Sequence, residues 1–240
     1  MDKLLKNHVD TKDRILRAAK IEFAEKGFQG ARMGSISRRA EANQALIHYY
    51  YKSKEKLYIE VLQSTLLIEQ FRKIQECIIG LKLTYAQKIY ILIYAIINIY
   101  LKAISPDSRK IISRAIVDGG DHLHSIVRKY LIPIHEFMEG VIIEGIEAGE
   151  FTLVDPLMVI ASINYIVISY ALLENVLEKT KWYDRLYGEK YVEKLFSFLI
   201  NTTFKALNPI TTLVLLPDVP SSSIKLLDNL IDEVREKENT

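Results

Sequence analysis

Residues 43–57 read NQALIHYYYKSKEKL, and the reading of this stretch decides the fold. A helix over 44–50 has barely two turns, too few to persist without packing against neighbours. Asn43 is placed to cap it, and Ser53 to cap a following helix, because both side chains can accept a bond from an otherwise free backbone N–H. His48 and three consecutive tyrosines, Tyr49, Tyr50 and Tyr51, close the short helix, and Lys52 and Lys54 bracket the serine. Rigid aromatics carrying hydroxyl donors, with cations just beyond, suit contact with a sugar-phosphate backbone.

Working outward toward the N-terminus, a helix is predicted over 11–26, with Thr11 as its cap and Ile15, Leu16, Ala19 and Phe23 on one face. Gly27 ends it, as a left-handed C-terminal residue does. A second short helix fits 33–40, with Ile36 and Ala40 facing inward, and Glu41-Ala42-Asn43 is a tight turn into the third. Three short helices with a tight turn between the second and third make a helix-turn-helix unit. Ser53 then opens a long fourth helix over 54–79, stopped by Gly80.

Beyond Gly80 the pattern is helical throughout. Thr84 caps a helix to about 104, and Ser105-Pro106 opens another, with proline at the first helical position, ending at Asp118-Gly119-Gly120. A long helix spans 121–148, with Pro133 kinking or breaking it. Gly149-Glu150-Phe151 turns the chain, and Asp155-Pro156 opens a very apolar helix to about 179. A polar loop with Trp182 and Gly188 leads to a helix over 189–207. The tail has an apolar, extended stretch over 210–219 and an amphipathic helix over 224–236, with Ile224, Leu227, Leu230, Ile231 and Val234 on one face.

The bulk properties are consistent with this. Hydrophobic residues make up 49% of the 240 and charged residues 26%, a globular balance. Residues 1–56 hold 13 Lys/Arg against 7 Asp/Glu, +6, and the remainder 19 against 23, −4. A basic N-terminal quarter on an acidic body implies a polyanion-binding head. Cys77 is the only cysteine, so no internal disulfide or thiolate cage forms and a reducing cytoplasm is expected. The first residues, MDKLLKNH, lack the apolar centre of a signal peptide. The apolar runs 89–101 and 159–173 fall short of the roughly 18–20 residues of a membrane span, and both read as buried core helices. No membrane contact is expected.

The N-terminal quarter resembles the DNA-binding domain of the TetR/AcrR family of transcriptional regulators. The resemblance rests on Arg14, Ile15, Leu16, Ala18, Ala19, Phe23, Ala24, Gly27 and Phe28, on Ile36 to Ala40, and on the run from Ala45 to Leu57. It implies an all-α chain with an N-terminal three-helix helix-turn-helix head and a C-terminal helical ligand-binding and dimerisation body. The head is placed at 9–68, with the motif over about 32–51, the body at 69–207 and a C-terminal extension at 208–240. By the same resemblance, the helices over 155–179 and 189–207 make a homodimer. Three positions depart from the family pattern. Glu41 replaces the turn glycine, Arg32 replaces a Thr or Ser cap, and Tyr51 replaces a phenylalanine.

The DNA-contact candidates follow residue by residue. Gln44, Ala45, His48 and Tyr49 sit where the family's recognition helix faces the major groove. Gln44 suits an adenine edge, and Ala45 suits close approach or a thymine methyl. Asn43, Tyr50, Lys54, Arg32 and Met33 are the expected backbone contacts, and Lys54 also lies in the first turn of a helix, where free N–H groups attract anions. Tyr51 is expected in the core. In the body, Tyr94, Asn98, His135, Met138, Tyr165 and Ser169 are candidates to line a ligand cavity. His122 and His124, two apart, diverge on a helix and make a poor metal pair. No nucleophile is paired with a base at recognisable spacing, so neither catalysis nor a cofactor is expected.

The resemblance therefore implies a ligand-responsive regulator that binds double-stranded DNA at a palindromic operator as a homodimer, and that a small molecule releases. The competing expectation is a DNA-associated protein-interaction regulator without an effector, followed by a helical carrier or enzyme that keeps the head as a relic.

Overall fold

The computed structural model describes residues 2–118, 121–208 and 216–239. All of the regular structure among them is helical. They form two compact units, 1–68 with 105–130, and 69–104 with 131–240.

The first unit opens with α1 (Asp2–Gly30). It begins well before Thr11, so Thr11 is an interior residue and not a cap. Residues 2–10 contain no proline or glycine to stop a helix. Gly27 breaks α1 with φ 66 and ψ 177, a conformation that side chains with a Cβ avoid. After it come α2 (Met33–Arg39), α3 (Gln44–Tyr51) and α4 (Lys54–Thr65). Ile15, Phe23, Ile36, Ile47, Leu57 and Leu62 are fully buried and form the centre of the unit. Two further helices complete it, α7 (Pro106–Asp118) and α8 (Asp121–Ile126). α7 packs on α1 and α4, where Arg114 donates to the Glu25 carbonyl at 3.3 Å. α8 packs on α4, and the Gln63 amide donates to the Tyr130 hydroxyl at 3.2 Å. The Gly119-Gly120 terminus expected for α7 lies outside the described residues.

The turn between α2 and α3 carries the strain that its sequence implies. Glu41 has φ 50, in the left-handed region, at a cost of roughly 1 kcal/mol for a residue with a Cβ. Relief of that strain, offset in part by the roughly 0.4–1 kcal/mol of chain entropy that glycine adds, means that Glu41→Gly should raise the unfolding midpoint by up to about 2 °C. A midpoint lowered by more than about 2 °C in a thermal melt would show that the turn is unstrained.

The fourth helix is not continuous over 54–79. α4 stops at Thr65, and α5 (Ile68–Gly80) begins after Leu67, which has φ 54. Leu62, Thr65, Leu66 and Leu67 are all buried. One straight helix would turn some of these consecutive positions outward, and the break lets all of them face inward.

In the second unit, α6 (Tyr85–Asn98) is the central helix, and a π-helical turn over Ile99–Ala103 extends it. Thr84 and Gln87 form a reciprocal capping box at its start. Buried Ile89, Ile91, Leu92, Ile93, Ile96 and Ile97 cover several of its sides, as expected of the apolar run there. α9 (Ile132–Glu147), α10 (Pro156–Leu177), α12 (Tyr191–Leu207) and α13 (Ser221–Asn239) all pack on it. The long helix expected over 121–148 is helical from Asp121 to Glu147, with a π-helical turn over Val127–Leu131, and Pro133 sits in the first turn of α9. The polar loop after α10 contains a short helix, α11 (Tyr183–Tyr187), which sequence reading missed. Tyr187 ties it down, donating to the Tyr170 carbonyl at 2.9 Å and packing on Tyr170, Tyr183 and Tyr191.

The other apolar run corrects its reading. Asp155 caps α10 by accepting from Leu157 and Met158, as expected. The helix, however, is 22 residues long, and only 28% of its most apolar window, of mean hydropathy 1.9, is buried. By length and composition it could cross a membrane. It is not a buried core helix, because its packing neighbours leave much of its surface uncovered. The extended stretch at 210–219 falls mostly outside the described residues. α13 follows it and buries Leu227, Ile231 and Val234 against α6 and its π-helical turn. Tyr94 donates to Asp228 at 2.6 Å, and Lys73 pairs with Glu233 at 3.1 Å.

Candidate nucleic-acid interface

α3 exists because each of its ends is supported. The Asn43 side chain accepts from the Leu46 N–H at 2.8 Å, the expected cap. The backbone of the preceding turn is closed by Ala40 N–H donating to Ile36 and by the Ser37 hydroxyl donating to the Ala42 carbonyl. Ile47 and Tyr51, one turn apart, point inward and are buried. The Tyr51 hydroxyl donates to the Lys12 carbonyl at 3.0 Å. Burial first, then the charge of Glu60, pushes this hydroxyl well above the usual tyrosine range, so it remains a neutral donor. Tyr51 is thus the anchor expected of it.

With 47 and 51 inward, the helical period turns 45 and 49 outward, while 48 lies at the edge of the inward face and 44 is exposed at the start of the helix. Gln44, Ala45, His48 and Tyr49 are all exposed, Tyr49 by 64%. Tyr50 is half-buried, its ring edge-on to that of Tyr49 at 5.3 Å. Arg32 is exposed at the start of α2 and makes no side-chain cap, so the usual helix cap is absent there. Met33 beside it is half-buried. Lys54 begins α4 under the Ser53 cap, which accepts from Lys56 N–H at 3.2 Å. Its ammonium lies 4.8 Å over the Phe28 ring and donates to the Gln29 carbonyl at 3.3 Å. Phe28 in turn packs on Tyr58 and on His122 of α8, at 5.0 and 4.8 Å. Lys54 therefore stands on an aromatic platform. Arg39 belongs to the head's own packing, paired with Glu25 at 3.0 Å.

One residue of this surface was read only as a cation bracketing the serine and is absent from the individual contact candidates. Lys52 ends α3 with φ 64. Its ammonium donates to the Tyr49 carbonyl at 2.8 Å and lies 5.3 Å from the Tyr49 ring centre. A lysine immediately after an aromatic run and before a capping serine is the signal that marks it.

The body candidates do not converge. Met138 is buried. Asn98 is buried and donates to the Tyr94 carbonyl at 2.8 Å. Tyr94 is held by α13, and His135 donates from Nδ1 to the Leu131 carbonyl at 2.7 Å. Tyr165 and Ser169, however, lie exposed on α10, so they cannot line an enclosed cavity with Met138. They sit one turn apart on the uncovered face of the helix, which its uniform hydropathy concealed.

A capped short helix presenting four outward side chains, rimmed by cations and anchored by a buried tyrosine, defines a helix-turn-helix DNA-binding head. Residues 15–61 match the bacterial regulatory proteins of the tetR family. The match is to the head, and over it the chain is similar to that family. It is similar to the HTH-type transcriptional repressor NicS of Pseudomonas putida, 49% identical over 53 residues, 22% of this chain and 25% of the relative. The chain thus matches only about a quarter of that protein's length. The fold as a whole is similar to FadR from Bacillus subtilis, solved in complex with stearoyl-CoA, at TM-score 0.61 and 19% identity over 79% of this chain and 96% of the other. It is also similar to a TetR transcription regulator from Haloarcula marismortui, at TM-score 0.62 and 19% identity over 83% of this chain and all of the other.

Proposed function

We propose that the chain is a cytoplasmic, ligand-responsive transcriptional repressor that acts as a homodimer on a palindromic operator. The observation that carries this reading is the outward set Gln44, Ala45, His48 and Tyr49 on a capped, anchored α3 with Lys54 at its rim. Gln44, Ala45, His48 and Tyr49 face base edges, and Asn43, Tyr50, Lys54, Arg32 and Met33 meet the backbone and set the register. Two copies place their α3 helices in successive major grooves about 34–36 Å apart. The head comprises 9–68, the body 69–207 and the extension 208–240.

The exposed apolar faces of α10 and α12 form the dimer interface. A second copy is the occupant that suits a helix as apolar as α10 and as little covered. The effector is a small apolar or aromatic molecule bound in the body. Because FadR is solved with stearoyl-CoA, long-chain acyl-CoA is the first class to test. The effector acts through α4 and α5, which join head to body. A ligand that prefers the released state about 100-fold supplies ~2.7 kcal/mol of coupling.

DNase footprinting on the DNA upstream of the gene tests this. Two protected half-sites related by inverted repeat are expected, with protection lost on adding the effector. Absence of any protected inverted repeat would overturn the repressor reading. Protection that no ligand relieves would favour a DNA-associated protein-interaction regulator.

A further inference from the structure

Lys52 is held in an arrangement that a solvated surface lysine does not need. It is the central residue of a three-residue turn, closed by Ser53 N–H donating to the Tyr51 carbonyl at 2.7 Å. Its φ of 64 and ψ of −44 make this the rare, strained form of that turn. Strain of this kind persists only where surrounding contacts impose it, and it clusters at functional sites.

Three contacts surround the turn, all with the exposed end of α3. The Lys52 ammonium donates to the Tyr49 carbonyl at 2.8 Å. The same ammonium lies 5.3 Å from the Tyr49 ring centre. The Lys52 carbonyl, aimed by the strained turn, accepts from His48 Nδ1 at 3.2 Å. Because a carbonyl only accepts, that bond places a proton on Nδ1 and fixes the orientation of the ring. A positive charge at the C-terminus of α3 also complements the helix dipole.

We propose that Lys52 is a positioning residue for DNA recognition, fixing the Tyr49 ring with its ammonium and the His48 ring with its carbonyl. The inference rests on the DNA-binding reading above. Its role is distinct from that of Lys54, whose ammonium stands over Phe28 on the other side of the Ser53 cap. Held rings lose less side-chain freedom on binding than free ones, so the gain appears as affinity.

The test uses the full-length protein and a duplex that it enriches from a random-sequence pool. Lys52→Met keeps the stem and removes the ammonium. It should raise Kd about 10-fold, the equivalent of one charge-assisted hydrogen bond. In a Tyr49→Ala background, measured at low salt, the same substitution should change Kd less than about 2-fold, because the group it orients is gone. The slope of log Kd against log salt should stay at the native value. Equal losses in both backgrounds, with the slope smaller by about 0.9 for each lysine lost, would mean a direct phosphate contact and overturn the proposal. An unchanged Kd would overturn it too. Lys52→Gly relieves the positive φ, so its unfolding midpoint should match or exceed the native value while its Kd rises at least as far as that of Lys52→Met. Native-like binding by the glycine variant overturns the proposal without any question of folding. A native chain that enriches no duplex would overturn the DNA-binding reading itself, and this inference with it.

Discussion

The double variant Tyr49→Ala, Lys54→Ala is expected to bind its operator at least about 100-fold more weakly than the native chain. Tyr49 is exposed on α3, and Lys54 is the first residue of α4, where its ammonium sits on the Phe28 ring. A charge-assisted hydrogen bond contributes roughly 1.5–3 kcal/mol and a neutral one about 1. One of each per subunit, repeated by symmetry, exceeds the ~2.7 kcal/mol that 100-fold requires. Removing two cations per dimer should also lower the salt slope by about 1.8. Fluorescence anisotropy across a salt series reads both effects. Lys54 also bonds the Gln29 carbonyl, so a thermal melt of the variant serves as the folding control. A well-folded double variant with native affinity would mean that these residues lie off the DNA.

Tyr165→Asp is expected to dissociate the homodimer while leaving the subunit folded. Tyr165 is 70% exposed in the single chain, so an aspartate there meets water and costs the subunit little. Met158 and Val176 on the same helix and Phe198 on α12 are also more than half exposed. If these faces meet those of a second copy, the new carboxylate is buried unpaired, at a cost of roughly 3–5 kcal/mol. The dimer Kd then rises by a factor of ~100 or more. Sedimentation velocity over a concentration series would show the monomer appearing, and operator affinity would fall with it. A variant that sediments as the native protein does would place the interface elsewhere and leave the apolar surface of α10 to another partner.

Where the chain's structure is set locally, it was legible. Asn43, Ser53, Thr84 and Asp155 each cap the helix they were expected to cap, because a cap depends on one side chain and the next three backbone groups. The exposed set on α3 was implied by the family resemblance, and Tyr51 is buried as expected. The break at Leu66-Leu67 was not legible, since it contains neither glycine nor proline. It arises from burying neighbouring leucines together, which is a tertiary requirement. α10 shows the complementary failure. Its hydropathy revealed that the helix wants cover but not which of its sides receive it, and Tyr165 and Ser169 were assigned to a cavity on that account. α11 was hidden because its stability comes from a tyrosine cluster drawn from three helices. Lys52 was visible as a residue but not as a conformation. Only the backbone shows that its φ is positive and that its carbonyl meets His48.

The compact unit that holds α2 and α3 is assembled from two separate stretches, 1–68 and 105–130. α7 braces α1 through Arg114, and α8 supplies the His122 face on which Phe28 and Tyr58 rest. Residues 1–68 taken alone would lose both of these supports. A chimera that grafts residues 1–68 onto another regulator's body inherits foreign residues under Phe28, and with them a different seat for Lys54. A chimera that carries 105–130 as well should keep the native seat for Lys54.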